Sequence, residues 1–229
     1  SGFALLADGM GGHLAGEVAS AMAIDQIAHQ LMHAFRDSAP DPAASDSPES
    51  STLVEAIKTA NAAIHDASMH RPEQAGMGTT IVAAAFRDNR LTVAHVGDSR
   101  LYRFRRGELR QITEDHSMVQ ELLRRGLITP EEARTSVNRN LVTRALGVDP
   151  IVEVDVKEDV VEDGDLYLLC SDGLNDVLTD EEMAAILTEL EHDLEAATRR
   201  MVEEVNKRGG PDNVSIVLVR TGESRDRRG

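Results

Sequence analysis

The sequence predicts an α+β fold in which antiparallel sheets are covered by helices. Apolar residues recur at helical spacing near both ends of the chain, whereas runs typical of strands, joined by hairpin turns, fill the middle. There is no internal repeat. Each helical segment has one apolar stripe, which must be buried against another element, and a sheet offers the flat apolar surface for it. The chain is therefore expected to form a layered α+β sandwich.

The first third of the chain predicts one short strand and two helices. Residues 3–7 form an apolar run that ends at the glycine-rich segment 8–12. Apolar residues at helical spacing predict helices over residues 14–35 and 53–67. The segment between them, residues 37–51, is rich in serine, proline and aspartate and is interpreted as a mobile surface loop.

The remainder of the chain predicts most of the strands. Turn signals at residues 88–90 and 106–107 indicate two hairpins. Alternating or continuous apolar runs predict strands over residues 79–86, 91–96, 100–105, 108–112, 152–157, 165–170 and 214–220. Short charged segments cover residues 117–126 and 130–135, and a late helix is predicted over residues 194–205.

Composition restricts the classes of protein to which the chain can belong. The 229 residues include 24 Lys and Arg against 40 Asp and Glu, so the net charge is −16 and the calculated pI is about 4.8. Such a chain is repelled by nucleic acids and by anionic membranes, and no apolar stretch approaches the ~20 residues of a membrane-spanning helix. Cys170 is the single cysteine, which excludes an internal disulfide and favours a reducing compartment. We expect a cytoplasmic monomer.

Four aspartates lie where apolar runs end or begin. Asp8, Asp98 and Asp172 each follow such a run, and Asp212 precedes another. Because the end of one antiparallel strand lies beside the start of its neighbour, all four can meet at one sheet edge. Clustered carboxylates repel one another unless a cation lies between them, and Mg²⁺ or Mn²⁺ prefers oxygen ligands. Taken singly, however, each aspartate is more typical of a turn or a helix cap.

Short motifs around these aspartates occur in a fixed order. They are DGMGGH at residues 8–13, GMGTT at 76–80, VGDSR at 96–100, SDG at 171–173 and GPDN at 210–213. In this order and at these spacings they resemble the metal-dependent protein phosphatases, the PPM or type 2C serine/threonine phosphatase family, in its bacterial form. The resemblance extends from residue 1 to about residue 220. It implies an antiparallel β-sandwich flanked by helices in an αββα layering.

The resemblance also implies roles for individual residues. Asp8 matches a ligand that bridges two metal ions, and Gly9 matches a carbonyl ligand of one of them. Asp172 and Asp212 match the other ligands of the first metal, and Asp98 together with Asp172 matches the site of a third, weaker metal. Asn213 is expected to orient Asp212. The implied cofactors are thus two tightly bound Mg²⁺ or Mn²⁺ ions and a third, weaker one, with a metal-activated water as nucleophile.

Some positions depart from the family pattern. The general-acid histidine that eukaryotic members carry after Asp-Gly is Met10 here, and His13 is the nearby candidate, although a position on the helix surface is its simpler interpretation. We expect the chain to lack the family's N-terminal strand, which carries an arginine that grips the substrate phosphate. The catalytic domain is predicted to span residues 1–220, with a flap over residues 117–140 and a disordered tail over residues 221–229.

Three functions are compatible with these features. The intact aspartate set favours a serine/threonine phosphoprotein phosphatase that opposes a bacterial Ser/Thr kinase, with phosphorylated proteins as partners. The missing arginine motivates an alternative, a catalytically impaired module that binds phosphoproteins, and a third option is a partner-switching phosphatase of one regulatory protein. The arginines of residues 100–110 are interpreted as a solvated strand face rather than as a docking patch for acidic phosphopeptides.

Overall fold

The protein forms two stacked antiparallel sheets with helices on both outer faces. The computed structural model describes residues 2–11, 13–37, 47–134, 136, 138 and 140–222. The strands are β1 (Gly2–Leu6), β2 (Gly9–Met10), β3 (Gly78–Thr79), β4 (Ile81–Arg87), β5 (Arg90–Val96), β6 (Arg100–Arg105), β7 (Glu108–Gln111), β8 (Asp155–Val160), β9 (Leu166–Cys170) and β10 (Ile216–Arg220). The helices are α1 (His13–Asp37), α2 (Pro48–His70), α3 (Met118–Arg124), α4 (Pro130–Arg134), α5 (Asp172–Asn175), α6 (Asp180–Glu189) and α7 (Leu194–Lys207).

The two sheets are stacked, so alternate side chains of a central strand lie in different layers of the fold. One sheet has the order β1-β4-β5-β8 and the other β10-β9-β6-β7, and β2 and β3 form a separate small ladder. Along β9, Tyr167 and Leu169 face the other sheet, whereas Leu166 and Leu168 pack against α6 and α7. Both faces of the central strands are therefore buried, which explains their continuous apolar runs. The predicted αββα layering is confirmed.

The first strand shows the limit of this inference. An apolar run such as residues 3–7 is typical of a central strand with a neighbour on each side, but among the described residues β4 is the one strand that pairs with β1. Phe3 packs against the helical layer and Leu6 against the second sheet. The apolar run thus reports burial of both faces of β1 and not the number of its lateral neighbours.

Several predicted boundaries were wrong for local reasons. The strand expected over residues 152–157 is β8, which begins at Asp155. Asp155 lies opposite His95, one residue before β5 ends, so the ladder between the two strands begins there. The loop expected to run to Ser51 ends earlier, since Ser47 caps α2 and Pro48 is its first residue; residues 38–46 lie outside the description.

Two further corrections concern the late part of the chain. Helix α6 was not predicted, although Thr179 and Glu182 form a capping box that announces it. Thr221, placed in the predicted tail, donates its hydroxyl to the carbonyl of Glu162 at 2.8 Å and is part of the fold. Residues 223–229 lie outside the description. In the parts of the chain that the structure covers, no helix is both long and apolar enough to cross a membrane.

Candidate metal centre

The four aspartates gather at one edge of the two sheets. Strands β1 and β5 run in the same direction because both are antiparallel to β4, so Asp8 and Asp98 follow strand ends at the same edge. In the second sheet, Cys170 lies opposite both Arg100 and Ile216. Asp172 therefore emerges from β9 beside the start of β10, to which Asp212 leads. The connection of residues 97–99 crosses from one sheet to the other and carries Asp98 with it.

Two buried threonines hold the backbone of Asp8. Its amide donates to Thr80 Oγ1 at 3.0 Å. Its carbonyl accepts from the amide of Thr80 at 2.8 Å and from Thr79 Oγ1 at 2.8 Å. The motif GMGTT, which the sequence singled out without a role, thus fixes the segment that carries the first aspartate.

The segment that carries Asp98 is held from two sides. Thr80 Oγ1 is 2.7 Å from Ser99 Oγ, so the same hydroxyl links Asp8 to the Asp98 segment. On the other side, the amide of Gly97 donates to His116 Nδ1 at 3.0 Å, and the amide of His116 donates to the carbonyl of Gly97 at 2.9 Å. Gly97 has φ +108°, and a Cβ there would lie 2.7 Å from the Thr80 side chain, so this turn requires glycine.

Asp172 and Asp212 are brought together by a close backbone approach. Ser171 exchanges hydrogen bonds with Ser215: its amide donates to the Ser215 carbonyl at 3.1 Å, and its hydroxyl accepts from the Ser215 amide at 3.0 Å. A Cβ at Gly173 would lie 2.2 Å from the carbonyl oxygen of Asn213, which explains the glycine of the SDG motif.

Asn213 contacts Asp212 through its backbone. The amide of Asn213 donates to Asp212 Oδ1 at 2.7 Å. This main-chain contact is compatible with the expectation that Asn213 orients Asp212, and that role stays a prediction.

The electrostatics of the cluster are those of carboxylates without a counter-charge. Burial, followed by the charges of Asp172 and Asp212, raises the pKa of Asp8 to about 7. Burial, then Asp172 and Asp115, raises the pKa of Asp98 to about 7. Burial, then Asp176 and Asp212, also raises the pKa of Asp172. The side chain of Asp172 also approaches that of Asp8, which raises the pKa of Asp8 further.

These residues fit the divalent cations that the family resemblance implies. Asp172 Oδ1 is buried and has no hydrogen-bond partner among the described residues. A buried carboxylate oxygen without a donor is costly, and a cation would relieve that cost together with the mutual repulsion of the carboxylates. The donor set consists of oxygen atoms alone, which suits Mg²⁺ or Mn²⁺ better than Zn²⁺.

Two other predicted site residues are Gly9 in β2 and His13 at the beginning of α1. Gly9 is in β2, and a Cβ there would lie 2.1 Å from the carbonyl oxygen of Gly16, so the close approach of α1 to this strand requires glycine. His13 is the first residue of α1. Its side chain lies outside the described part of the structure, so its predicted role as a general acid stays a prediction.

A second titratable cluster beside the centre was missed by the sequence reasoning. Within the described residues, His95, His116 and Asp155 place ligand atoms within 4.8 Å of one another. Arg144 already supplies the cation, because its Nη1 lies 2.6 Å from Asp155 Oδ1 and 3.0 Å from His116 Nε2. The amide of Gly97 donates to His116 Nδ1, and Arg144 lies against Nε2, so both ring nitrogens already have a partner within the protein. The spacing of these residues does not reveal the cluster, because His95 on β5 and Asp155 on β8 are far apart in sequence.

Three of the five arginines in residues 100–110, all on β6, are engaged within the molecule. Arg103 Nη1 donates to Asp159 at 2.7 Å, and Arg105 Nη2 donates to Asp165 at 2.7 Å. Arg100 is paired with Asp115 through contacts of 2.7 to 3.0 Å. These guanidinium groups balance the acidic chain, as the simpler interpretation expected, but they do so in partly buried ion pairs and not on a solvated face.

Comparisons with known proteins agree with this geometry. Residues 1–208 match the family model described as Protein phosphatase 2C. The chain is 42% identical over 217 residues to the serine/threonine protein phosphatase PstP of Mycobacterium tuberculosis, covering 93% of this chain and 39% of that protein. It is 40% identical over 216 residues to the serine/threonine phosphatase Stp of Listeria monocytogenes, covering 94% and 82% of the two chains. A crystal structure of the PstP catalytic domain with two manganese ions superposes with a TM-score of 0.81 at 40% identity, covering 96% of this chain and 88% of that one.

Proposed function

This chain belongs to the protein phosphatase 2C family, and we propose that it hydrolyses phosphoserine and phosphothreonine in proteins with the help of divalent cations. The observation that carries the proposal is the meeting of Asp8, Asp98, Asp172 and Asp212 at one sheet edge, where the pKa values of the first three are raised. The chain spans about two fifths of the mycobacterial relative, so the activity of the whole protein is part of the proposal.

The cations would be held by oxygen atoms of this one sheet edge. We assign Asp8, the Gly9 carbonyl, Asp172 and Asp212 to two tightly bound Mn²⁺ or Mg²⁺ ions, and Asp98 with Asp172 to a weaker third. Two manganese ions in the PstP catalytic domain support the assignment. When bound, such ions supply Lewis-acid activation of a water molecule and stabilise charge on the phosphoryl oxygens.

The protein's own contribution is to hold these ligands before the substrate arrives. Thr80 couples the segments of Asp8 and Asp98 through one hydroxyl, and Ser171 couples those of Asp172 and Asp212. A protein nucleophile is not needed. The thiol of Cys170 is an unsuitable one, since burial raises its pKa to about 12.

The relatives named above are themselves called serine/threonine phosphatases, which favours hydrolysis over a module that only binds phosphoproteins. The opposing Ser/Thr kinase, the monomeric state and the cytoplasmic location remain predictions, as does the assignment of the chain to one catalytic domain.

The proposal is tested by hydrolysis of para-nitrophenyl phosphate and of a phosphothreonine peptide. Activity should require Mn²⁺ or Mg²⁺ and disappear with EDTA. Asp8→Asn should lower turnover by about 100-fold or more. The control Asp163→Asn, an exposed residue in the β8–β9 turn, should leave turnover unchanged. Phosphopeptide binding without metal-dependent hydrolysis in the wild-type protein would contradict the proposal.

A further inference from the structure

The loop between β7 and α3 contacts the turn that carries Asp98 at both ends of that turn. At the far end, the Arg100 guanidinium is bound to the carboxylate of Asp115 by contacts of 2.7 to 3.0 Å. At the near end, His116 exchanges two hydrogen bonds with Gly97. Asp98 is buried and lies between these two anchored positions. The aspartate assigned to the weaker third metal is therefore held through its neighbours along the chain.

The contact between His116 and Gly97 resembles a strand pairing in which a side chain replaces one main-chain group. The amide of His116 donates to the Gly97 carbonyl at 2.9 Å, and the Gly97 amide donates to Nδ1 of the His116 ring at 3.0 Å. Two residues opposite each other in an antiparallel ladder exchange such a pair of bonds through main-chain atoms alone. Here the ring nitrogen takes the place of the second carbonyl. Loss of Nδ1 would deprive the Gly97 amide of this acceptor inside the protein, which is unfavourable.

The ring of His116 is also fixed from its other side. Arg144 Nη1 lies 3.0 Å from Nε2, and Asp155 Oδ2 lies 3.4 Å from the same nitrogen. The ring of His95 stacks on that of His116, with centroids 4.7 Å apart and planes inclined by 15°. Burial, followed by the charges of His95 and Arg144, lowers the pKa of His116 and favours the neutral ring, whose Nδ1 can accept a hydrogen bond. The place of Nδ1 is thus set by tertiary contacts before any ligand binds.

We propose that His116 is a positioning residue for the weaker metal site: its Nδ1 holds the Gly97 amide and thereby sets the place of the Asp98 carboxylate. The inference rests on the proposed function, because the weaker site is part of it. Groups that hold a ligand in this way affect metal affinity without touching the metal. The aspartates of the tight sites are held instead through Thr80 and Ser171. His116 should therefore matter for the weaker site and not for the tight ones.

The simplest rival explanation is that His116 only packs the interior. It is 8% exposed, and its ring stacks against a second buried ring. Loss of such packing would lower the stability of the whole fold, whichever ring nitrogen the substitution removed. A positioning role depends instead on the atom that stands in the place of Nδ1. The two explanations therefore differ for substitutions that keep or remove an acceptor at that place.

Asparagine and glutamine distinguish the two ring nitrogens. Asparagine carries Oδ1 directly on Cγ, as histidine carries Nδ1, whereas glutamine carries its polar atoms one bond further out, towards the place of Nε2. His116→Gln should raise the Mn²⁺ concentration for half-maximal hydrolysis of para-nitrophenyl phosphate about tenfold, and His116→Asn should stay within about threefold of the wild type. Tight Mn²⁺ binding, measured by calorimetry, should change by less than about twofold in either variant.

Hydrogen exchange gives a readout that needs neither metal nor substrate. In the metal-free protein, NMR should show the Gly97 amide protected in the wild type and in His116→Asn. In His116→Gln it should exchange about tenfold faster relative to the amides of β5. The control Val205→Ala removes buried volume from α7, in the helical layer outside the second sheet. It should lower stability but leave the Mn²⁺ requirement and the relative exchange of Gly97 unchanged.

Several results would overturn the inference: equal Mn²⁺ requirements in the two His116 variants, unchanged exchange at Gly97 in His116→Gln, or a matching loss of tight binding. If His116→Gln does not fold, Arg144→Met replaces it, because it removes the contact at Nε2. It should raise the Mn²⁺ requirement about two- to fivefold, and an unchanged requirement would reject the positioning role. If the wild-type protein hydrolyses no phosphate ester with Mn²⁺ or Mg²⁺, the proposed function fails, and exchange at Gly97 still decides whether His116 holds the turn.

Discussion

Two clusters of titratable groups lie side by side in this protein and show opposite electrostatics. At the aspartate centre, burial and neighbouring carboxylates raise the pKa of Asp8 and Asp98 to about 7. At the neighbouring cluster of His95, His116, Asp155 and Arg144, burial also acts to raise the pKa of Asp155. Hydrogen bonds from Arg144 and His116 outweigh it, and the pKa falls below its ordinary value.

The difference lies in where the cation comes from. Arg144 is part of the chain, so Asp155 is compensated as soon as the protein folds. Among the described residues, no cationic side chain forms an ion pair with Asp8, Asp98, Asp172 or Asp212, and burial and neighbouring carboxylates raise the pKa of Asp8, Asp98 and Asp172. A buried carboxylate beside its own guanidinium is thus compensated within the fold, whereas the four aspartates are left to an external cation.

The largest expected effect comes from removing a charge from the uncompensated cluster. Asp172→Asn should lower Mn²⁺-dependent turnover by about 100-fold or more, because Asp172 is assigned to two metal positions. It should at the same time raise the melting temperature of the metal-free protein by about 2–5 °C, since one repulsive buried charge is gone. Turnover assays and thermal melting in EDTA check the two results; retained activity would remove Asp172 from the site.

The next prediction separates the metal positions within the cluster. Asp212→Ala should weaken tight Mn²⁺ binding and slow turnover, because Asp212 is assigned to the first metal. Asp98→Ala should slow turnover but leave tight binding intact, because Asp98 is assigned to the weaker third site. Calorimetric titration with Mn²⁺ distinguishes them, and equal loss of tight binding in both variants would refute the assignment of three sites.

Removing the built-in cation should make the second cluster resemble the first. Arg144→Met leaves Asp155 beside His116 without a guanidinium and should cost about 1–2 kcal/mol in the free energy of unfolding. This is less than for a fully buried pair, since the side chains of Arg144 and Asp155 are 30% and 40% exposed. Denaturant unfolding measures the cost.

A double variant checks the cause of that loss. In Arg144→Met with Asp155→Asn, the uncompensated carboxylate is absent, so part of the lost free energy of unfolding should return. Strict additivity of the two single substitutions would show that Arg144 acts through packing alone.

The last prediction concerns the pH dependence of stability without metal. In the unfolded chain Asp8 and Asp98 titrate near 3.8, whereas in the folded protein their pKa is about 7. The folded state therefore holds more protons between these values, and its stability should fall as the pH rises from about 4 to about 7 and then level off. Saturating Mn²⁺ should remove this decline, because a bound cation replaces the protons. Melting curves across this pH range, with and without Mn²⁺, test the sign.

The sequence allowed much of the centre to be predicted because its parts are local. Each of Asp8, Asp98 and Asp172 stands directly after a run whose apolar pattern marks a strand, and antiparallel pairing then brings strand ends together. The hairpin at Asp88 and Asn89 was also predicted from a local signal. Both residues adopt the positive φ that such a turn needs.

The tertiary structure alone decided which segments far apart in sequence come into contact. Thr80 forms a hydrogen bond with Asp8, which lies 72 positions earlier in the sequence, and Arg144 contacts the ring of His116, which lies 28 positions earlier. A cavity lined by residues of both α3 and α6 likewise depends on how two distant segments face each other. Periodicity determines which face of an element is buried. The register of the sheets and the path of the loops determine which side chains then meet, and no local pattern encodes either of them.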